Sequence, residues 1–480
     1  MARKTKIIAT LGPASASPEV ISGMVAAGMD VARLNFSHGT HESHARAAEA
    51  VRAAADEHGR AVAVLQDIQG PRVRVGTFPG GAIELAAGDR VRLRDGDGDG
   101  SPRTIYVQHL AEASPVEGER VLLSDGMVVL HVSEVDDDGV TAEVVEGGTL
   151  ADHKGVAFPG AGAGLPVITE KDEIDLAFGK ELGVDLIAAS FVTSGEDIRR
   201  VKALAGDVPV IAKIERAAGY SNLEDIVMEA DGAMVARGDL GVELGFEPLP
   251  RVQKEIIART NAAGGVSITA TEMLESMTTS PRPTRAEVTD VANAVLDGSD
   301  AVMLSAETAV GKYPVRTIEV MAAICREAEA SPGYPAAPPF ELEGDNPFPA
   351  AIAGAVADTA ASLHLSTVVA FTESGNTARL VARYRPNARI VAFTSNPTTR
   401  NRLAIVWGVT PLLFGRFETT DEMIAEAERI LLVMGLASAG ERVAMAAGIP
   451  PNQQASTNLL KLHVLGSEST GVPSGKRRRS

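Results

Sequence analysis

The sequence predicts an α/β protein. Its largest part is a (β/α)8 barrel that carries an inserted small β-barrel lid domain and is followed by a C-terminal open α/β domain. Three observations predict this. Eight short apolar runs recur through the first 310 residues: Ile7–Leu11, Val31–Phe36, Ala61–Leu65, Leu186–Phe191, Val208–Ile214, Gly232–Val235, Val266–Ala270 and Ala301–Leu304. Near-continuous hydrophobicity over about five residues fits strands buried on both faces of a parallel sheet. Helix-length segments separate most of them, as in Ser17–Ala27, His44–His58 and Leu249–Ala263. Seven of the eight runs also end in a polar or charged side chain, and a closed barrel converges those ends on one mouth. An open doubly wound sheet satisfies the same local pattern without that convergence.

In chain order the ends carry Arg33, Asn35 and Ser37, then Asp67, Ser190, and Lys213 with Glu215. Arg237 and Asp239 follow, then Thr271, then Ser305 and Glu307. Charges beside buried runs need a partner or a ligand. Between Pro71 and about Phe158 helical periodicity lapses into short β-like pieces, Val91–Leu93, Thr104–Val107, Met127–Val132 and Val140–Val144, separated by Gly/Asp turns. This segment, 71–157, is the expected lid, inserted between 1–70 and 158–330 of the barrel. Within it Asp95–Gly100 has the start of a calcium-loop pattern, but its twelfth position is Tyr106, so it reads as a hairpin turn. A proline-rich linker runs from Ala330 to Pro339. Strands near Thr367–Phe371, Arg389–Phe393, Thr410–Phe414, Arg442–Ala447 and Leu460–Val464 then predict a second α/β domain over 340–466. The tail 467–480, with Lys476–Arg479, reads as disordered, basic and solvated.

Length and composition agree. The chain's 480 residues suggest about three domains. A net charge of −18 argues against nucleic acid or an anionic membrane as partner. A single cysteine, Cys325, excludes an internal disulfide and fits the cytoplasm. No apolar stretch reads as a membrane span, and the N-terminus lacks a signal peptide's apolar core.

Neither GxxxxGK[ST] nor a dinucleotide fingerprint is present; Gly160–Gly164 lacks the spacing and follows no strand. Glu215 and Asp239 lie just past adjacent predicted strands. Two carboxylates with open positions suit Mg2+ or Mn2+ together with substrate phosphates. Lys213, two residues before Glu215, shares its face. With Arg33, Arg74 and Arg237 nearby, the set suits charge stabilisation in phosphoryl transfer. The alternative is a set of ordinary salt bridges at a barrel rim.

Segments Met29–Gly39, Ile211–Glu215, Met234–Gly241, Ala270–Met277, Pro283–Gly298, Met303–Ala309 and Lys312–Pro314 closely resemble the pyruvate kinase family, and the likeness runs in one order from Thr5 to about Val464. The resemblance implies the reaction phosphoenolpyruvate + ADP → pyruvate + ATP, the final step of glycolysis, in a homotetramer. It implies that Glu215 and Asp239 hold the divalent metal, and that Arg33 and Lys213 neutralise the phosphoryl group. Lys213 would also steady the enolate. Substrate contacts fall on Arg33, Lys213, Thr271 and the peptide groups around Arg237, Gly238 and Asp239. Thr271, with Ser305 and Glu307, would serve the proton relay. Nucleotide contacts fall on Asn35, His38, Arg74 and Lys171, with Ser190 near the lid. A monovalent-cation position corresponds to Asn35, Ser37, Asp67 and the carbonyl of Ile68.

This chain departs from the family pattern at several points. Arg72 stands where potassium-dependent members carry Glu, and Ile68 where they carry Thr, which implies a potassium-independent enzyme. Glu272 and Ala306 replace commoner Gln and Gly. Thr372, Ser374, Gly375, Asn376 and Thr377 resemble the family's phosphate-binding effector loop, and a turn of this kind entering a helix suits phosphate. The second effector loop, Pro450–Thr457, has few glycines, so a nucleotide or sugar monophosphate is as well suited as fructose bisphosphate. A metal-dependent carbon–carbon lyase would share the carboxylates without needing Lys213 or a lid. An inactive binding module would have lost them.

Overall fold

A computed structural model describes residues 3–124, 126–159, 166–334, 347–449 and 456–466. The expectations placed on Gly160–Gly164, Pro450–Ala455 and the basic tail lie outside these residues, as does most of the proline-rich linker. The described chain forms two compact units, one spanning Thr5–Ala330 and one built on the residues after Ala330 together with Lys4.

The first unit holds the closed barrel. Strands β1 (Lys6–Leu11), β2 (Val31–Asn35) and β3 (Ala63–Asp67) precede the insertion. The insertion carries β4 (Ala82–Leu85), β5 (Arg90–Asp95), β6 (Thr104–Val107), β7 (Arg120–Leu123), β8 (Val128–Asp136), β9 (Gly139–Glu146), β10 (Gly148–Ala151) and β11 (Val156–Ala157). The barrel resumes with β12 (Leu186–Ala189), β13 (Val210–Ile214), β14 (Gly232–Ala236), β15 (Val266–Ala270) and β16 (Ala301–Leu304). The eight barrel strands pair in the closed order β1-β16-β15-β14-β13-β12-β3-β2, all parallel. Their side chains are buried almost throughout, as strands covered on both faces must be.

Two of the elements whose boundaries differ from the sequence reading show the physical reason. Strand β3 starts at Ala63 rather than Ala61 and runs on through Gln66 and Asp67, polar residues at 0% and 1% exposure that hydropathy assigns to a loop. The helix expected from His44 begins at His41, because Thr40 caps it: its hydroxyl accepts from the Ser43 amide while Ser43 Oγ accepts from the Thr40 amide.

The insertion is a six-stranded curled sheet in the order β11-β7-β8-β9-β5-β6 with a β10-β4 pair, closed around Leu93, Ile105, Leu123 and Leu130. One expectation is corrected here. Strands β5 and β6 pair in parallel, so Asp95–Gly100 belongs to a crossover and not to a hairpin. Its carboxylates serve the loop itself: Asp95 accepts from the Leu110 amide at 2.7 Å, and Asp99 accepts from the Thr77 hydroxyl.

The second unit is a five-stranded open sheet, made of β17 (Thr367–Phe371), β18 (Arg389–Thr394), β19 (Val409–Leu413), β20 (Arg442–Ala447) and β21 (Leu459–Val464). Its order is β19-β18-β17-β20-β21, parallel except for the last pair. Among the described residues, no helix is long and apolar enough to cross a membrane.

Candidate active site

The C-terminal ends of the barrel strands assemble a charged cluster. Lys213 leaves β13 nearly buried, and its ammonium meets Ser190 Oγ at 2.7 Å, Glu215 Oε1 at 2.8 Å and Asp67 Oδ1 at 3.2 Å. Strand alternation puts Lys213 and Glu215 on one face, as their spacing predicts. Arg33, on β2, donates from Nε to Asp67 Oδ2 at 2.7 Å and from Nη1 to Thr10 Oγ1 at 2.9 Å. Burial works against the Lys213 ammonium, but Asp67 and Glu215 outweigh it and hold its pKa above that of an ordinary lysine. Burial likewise favours a neutral Asp67, yet Arg33 and Lys213 hold its carboxyl below the usual range. For Glu215 burial wins. Its carboxyl is pushed up despite Lys213, with Asp239 and Asp67 adding to the rise.

Glu215 Oε2 accepts from the Phe191 amide at 2.7 Å. Phe191 adopts φ +57°, an uncommon backbone for a bulky residue, and its ring carries the Arg216 guanidinium 5.2 Å above the centroid. Asp239 stands exposed in the first turn of the helix Arg237–Leu244, and its carboxylate has no hydrogen-bond or ion-pair partner among the described residues. Glu215 and Asp239 share a cleft of about 360 Å³ with lid residues Arg72, Arg74 and Lys154. Lys213, Arg33, Thr271 and Lys171 do not line that cleft.

The Arg237 guanidinium is engaged elsewhere. It pairs with Asp290 at 2.6 Å and donates to the carbonyls of Thr271 (2.6 Å) and Ala270 (3.2 Å). Only its peptide group is left for a ligand. The Gly238 amide donates to Thr271 Oγ1 at 2.9 Å, and that hydroxyl donates to the Ala270 carbonyl at 2.6 Å. Thr271 and Glu272 both lie at positive φ, +69° and +52°. Glu307, wholly buried, accepts from the Leu274 amide (3.1 Å) and the Ser305 amide (2.6 Å). The buried Ser305 hydroxyl has no hydrogen-bond partner among the described residues.

Around β2, Asn35 Oδ1 accepts from the Ser37 amide at 3.1 Å, and the Ile68 carbonyl accepts from Ser190 Oγ at 2.8 Å. Burial lowers the pKa of His38, and Arg72, Arg74 and Arg33 lower it further. Lys171 is tethered to Asp175 (2.5 Å) and to the Phe36 carbonyl (2.7 Å). In the second unit, Thr372 Oγ1 accepts from the Gly375 amide at 2.9 Å, closing the turn into the helix Asn376–Arg383. Gly375 takes φ +89°, and Asn376 donates its amide to Ser374 Oγ at 3.5 Å. Thr377 Oγ1 meets Thr457 Oγ1 at 2.7 Å, and both line a cavity of about 470 Å³ with Ser374.

Sequence reasoning missed Glu243, Asp290 and Asp175. Glu243 was within reach, since it lies four residues after Asp239 on the same helix face. It lines the cleft, and burial pushes its carboxyl up. Asp175 was within reach as well, four residues after Lys171 on the same helix, whereas Asp290 acts on a residue 53 positions away, a pairing that no local pattern encodes.

Comparison with known proteins follows the same divisions. The family model "Pyruvate kinase, barrel domain" matches residues 2–318, and "Pyruvate kinase, alpha/beta domain" matches 350–463. The chain is 44% identical over 474 residues to a pyruvate kinase of Geobacillus stearothermophilus, covering 97% of this chain and 81% of that protein. It is also 44% identical to one from Mycobacterium tuberculosis, covering 98% and 100%. A crystal structure of a pyruvate kinase from Cryptosporidium parvum superposes with a TM-score of 0.89 at 36% identity, covering 96% of each chain.

Proposed function

Because this chain belongs to the pyruvate kinase family, and is therefore an enzyme that works on phosphoenolpyruvate and ADP with a divalent cation, we propose that the Lys213–Glu215–Asp67–Arg33 cluster and Asp239 carry its phosphoryl transfer. The observation that supports this most directly is Lys213, a buried ammonium held among two carboxylates and a hydroxyl. Glu215 and Asp239 suit a hard cation such as Mg2+ or Mn2+, since both donors are carboxylate oxygens and Asp239 is unengaged. That cation would supply charge neutralisation on the phosphoryl oxygens.

The chain's own groups do the rest. Arg33 and Lys213 meet the negative charge that spreads over the transferring group. Lys213 then faces the enolate left behind, where a fixed ammonium in a dry site acts most strongly. First-turn amides at Arg237–Asp239 receive the substrate carboxylate, that of Gly238 leaving Thr271 Oγ1 to do so. The Thr271 hydroxyl is too weak an acid to protonate carbon alone, so it works through a water-linked relay with Ser305 in reach of the same turn. Asn35, His38, Arg74 and Lys171 are assigned to the nucleotide. We assign residues 71–157 as the lid, 1–70 with 158–330 as the catalytic barrel, and 340–466 as the regulatory domain.

Three finer readings accompany this one. The enzyme works without potassium: Asp67 is already neutralised by two cations, the Asn35 and Ile68 oxygens already accept protein hydrogen bonds, and Arg72 brings a further positive charge. It is regulated by a phosphorylated or nucleotide effector at Thr372–Thr377. It acts as a cytoplasmic homotetramer.

A coupled assay with phosphoenolpyruvate and ADP tests the central reading. Lys213→Met is expected to lower kcat by at least about a thousandfold while phosphoenolpyruvate still binds in equilibrium titration. Unaltered turnover would refute the role.

A further inference from the structure

We infer that Glu307 is a positioning residue that carries no proton in the reaction; the inference rests on the function proposed above. A group that moves a proton must lie within hydrogen-bond reach of the atom that gives or takes it, directly or through one water. The Glu307 carboxylate is wholly buried on the short helix Ala306–Ala309, and both oxygens accept from peptide N–H groups: Leu274 on Oε1 and Ser305 on Oε2. Peptide amides cannot relay a proton at this position, and among the described residues no side-chain hydroxyl contacts the carboxylate.

What the carboxylate does is tie two strand ends together. Leu274 closes the turn that begins with Thr271 and Glu272, whose left-handed backbones at φ +69° and +52° persist only if the surroundings fix them. Arg237 holds the front of that turn through the Ala270 and Thr271 carbonyls. Glu307 holds its back. The same carboxylate fixes the Ser305 peptide, whose φ −107° and ψ −100° lie outside the regular regions, and the Ser305 hydroxyl is buried with no partner among the described residues. In the proposed relay set the Thr271 hydroxyl is occupied as donor and as acceptor, whereas Ser305 has its full hydrogen-bonding capacity unspent. Glu307 thus sets where both hydroxyls stand.

Two half-reactions separate positioning from proton carriage. One is ATP formation from phosphoenolpyruvate and ADP in a single turnover. The other is exchange of the C3 hydrogens of pyruvate with D2O, in which a C–H bond breaks to give the enolate and a C–D bond forms on its return. In Glu307→Gln, one amide donor meets the NH2 group in place of an oxygen. In Glu307→Asp, the shorter carboxylate cannot span both amides. For each variant exchange, which uses the Thr271 and Ser305 hydroxyls, is expected to slow by up to about a hundredfold and by more than ATP formation, in Glu307→Asp as much as in Glu307→Gln, with the pH profile of exchange unchanged in shape. Exchange kept in Glu307→Asp but lost in Glu307→Gln, or loss of a limb from the pH profile of exchange, would overturn the inference and leave the proposed function standing. A wild-type enzyme that forms no ATP would instead overturn the proposed function.

Discussion

Thr271 illustrates how much of the site lies in single side chains holding others. A β-branched residue in the left-handed region is unfavourable by about 1–3 kcal/mol. It is retained here by Arg237 on its carbonyl, Gly238 on its hydroxyl and Glu307 on Leu274. Arg72 is the converse case, a cation on the cleft wall with no hydrogen bond or ion pair to a described residue. In the proposed potassium-independent enzyme the Arg72 guanidinium supplies the charge that the ion would bring. Replacing K+ with tetramethylammonium at constant ionic strength is therefore expected to leave kcat within about twofold, a difference of less than about 0.5 kcal/mol in barrier. A collapse of activity in that exchange would contradict it. At this scale the sequence made the charged groups legible, because Arg33, Lys213, Glu215 and Asp239 interrupt or end apolar runs. It left some partners illegible: Asp290 on Arg237 comes from a helix whose own pattern looks ordinary, whereas Asp175 stands four residues after Lys171 on one helix, a spacing the sequence does show.

Elements were legible to the extent that their burial was apolar. Barrel strands such as β15 and β16 coincide with their apolar runs, whereas β3 continues through Gln66 and Asp67, where the Gln66 amide nitrogen and the Asp67 carboxylate are hydrogen-bonded. In the lid, β4, β7, β10 and β11 gave no distinct signal, and the β5–β6 crossover reads locally like a hairpin. Pairing direction depends on partners that a local pattern does not name. Helix starts were better marked. The helix Arg285–Leu296 begins with a Thr284–Glu287 capping box, and Glu287 also accepts from the Ser276 amide (2.7 Å) and hydroxyl (2.6 Å). Partial burial raises the Glu287 pKa, but these bonds and those from Thr284 outweigh it, so its carboxyl sits below the ordinary value. A carboxyl with a depressed folded-state pKa contributes stability that is fully present above its unfolded pKa of about 4.3 and lost as pH falls through the folded value. Glu287→Gln is expected to cost about 1–2 kcal/mol at neutral pH. That difference should begin to shrink as pH falls below about 4.3 and approach zero only below the folded-state value, where the wild-type side chain is itself protonated. Urea midpoints for both proteins across that range would check it. A gap that stayed constant with pH would assign the loss to packing.

At the scale of the whole molecule, net charge describes the outer surface and says little about the mouth. A chain of −18 is expected to work on two anions, because Arg72 and Arg74 line the cleft and Arg33 and Lys213 stand at neighbouring strand ends. The second unit offers a way to ask whether the barrel and the proposed regulatory domain act together. The chain's one tryptophan, Trp407, is fully buried there, with Nε1 donating to Tyr334 Oη at 3.0 Å and with Arg385 and Lys4 over its ring at 4.7 and 5.2 Å. Its emission therefore reports the unfolding of that unit, while far-UV circular dichroism reports both. Phosphoenolpyruvate and a divalent cation at about 100 times Kd stabilise the unit that binds them by about 2.7 kcal/mol. Allosteric coupling is reciprocal, so an effector site in the second unit that changes substrate affinity requires substrate to change that unit's stability as well. In guanidinium titrations the Trp407 midpoint is accordingly expected to rise when substrate and cation are added. If the circular dichroism transition moved and the Trp407 transition stayed fixed, the two units would be energetically independent, and regulation through Thr372–Thr377 would have no route to the barrel.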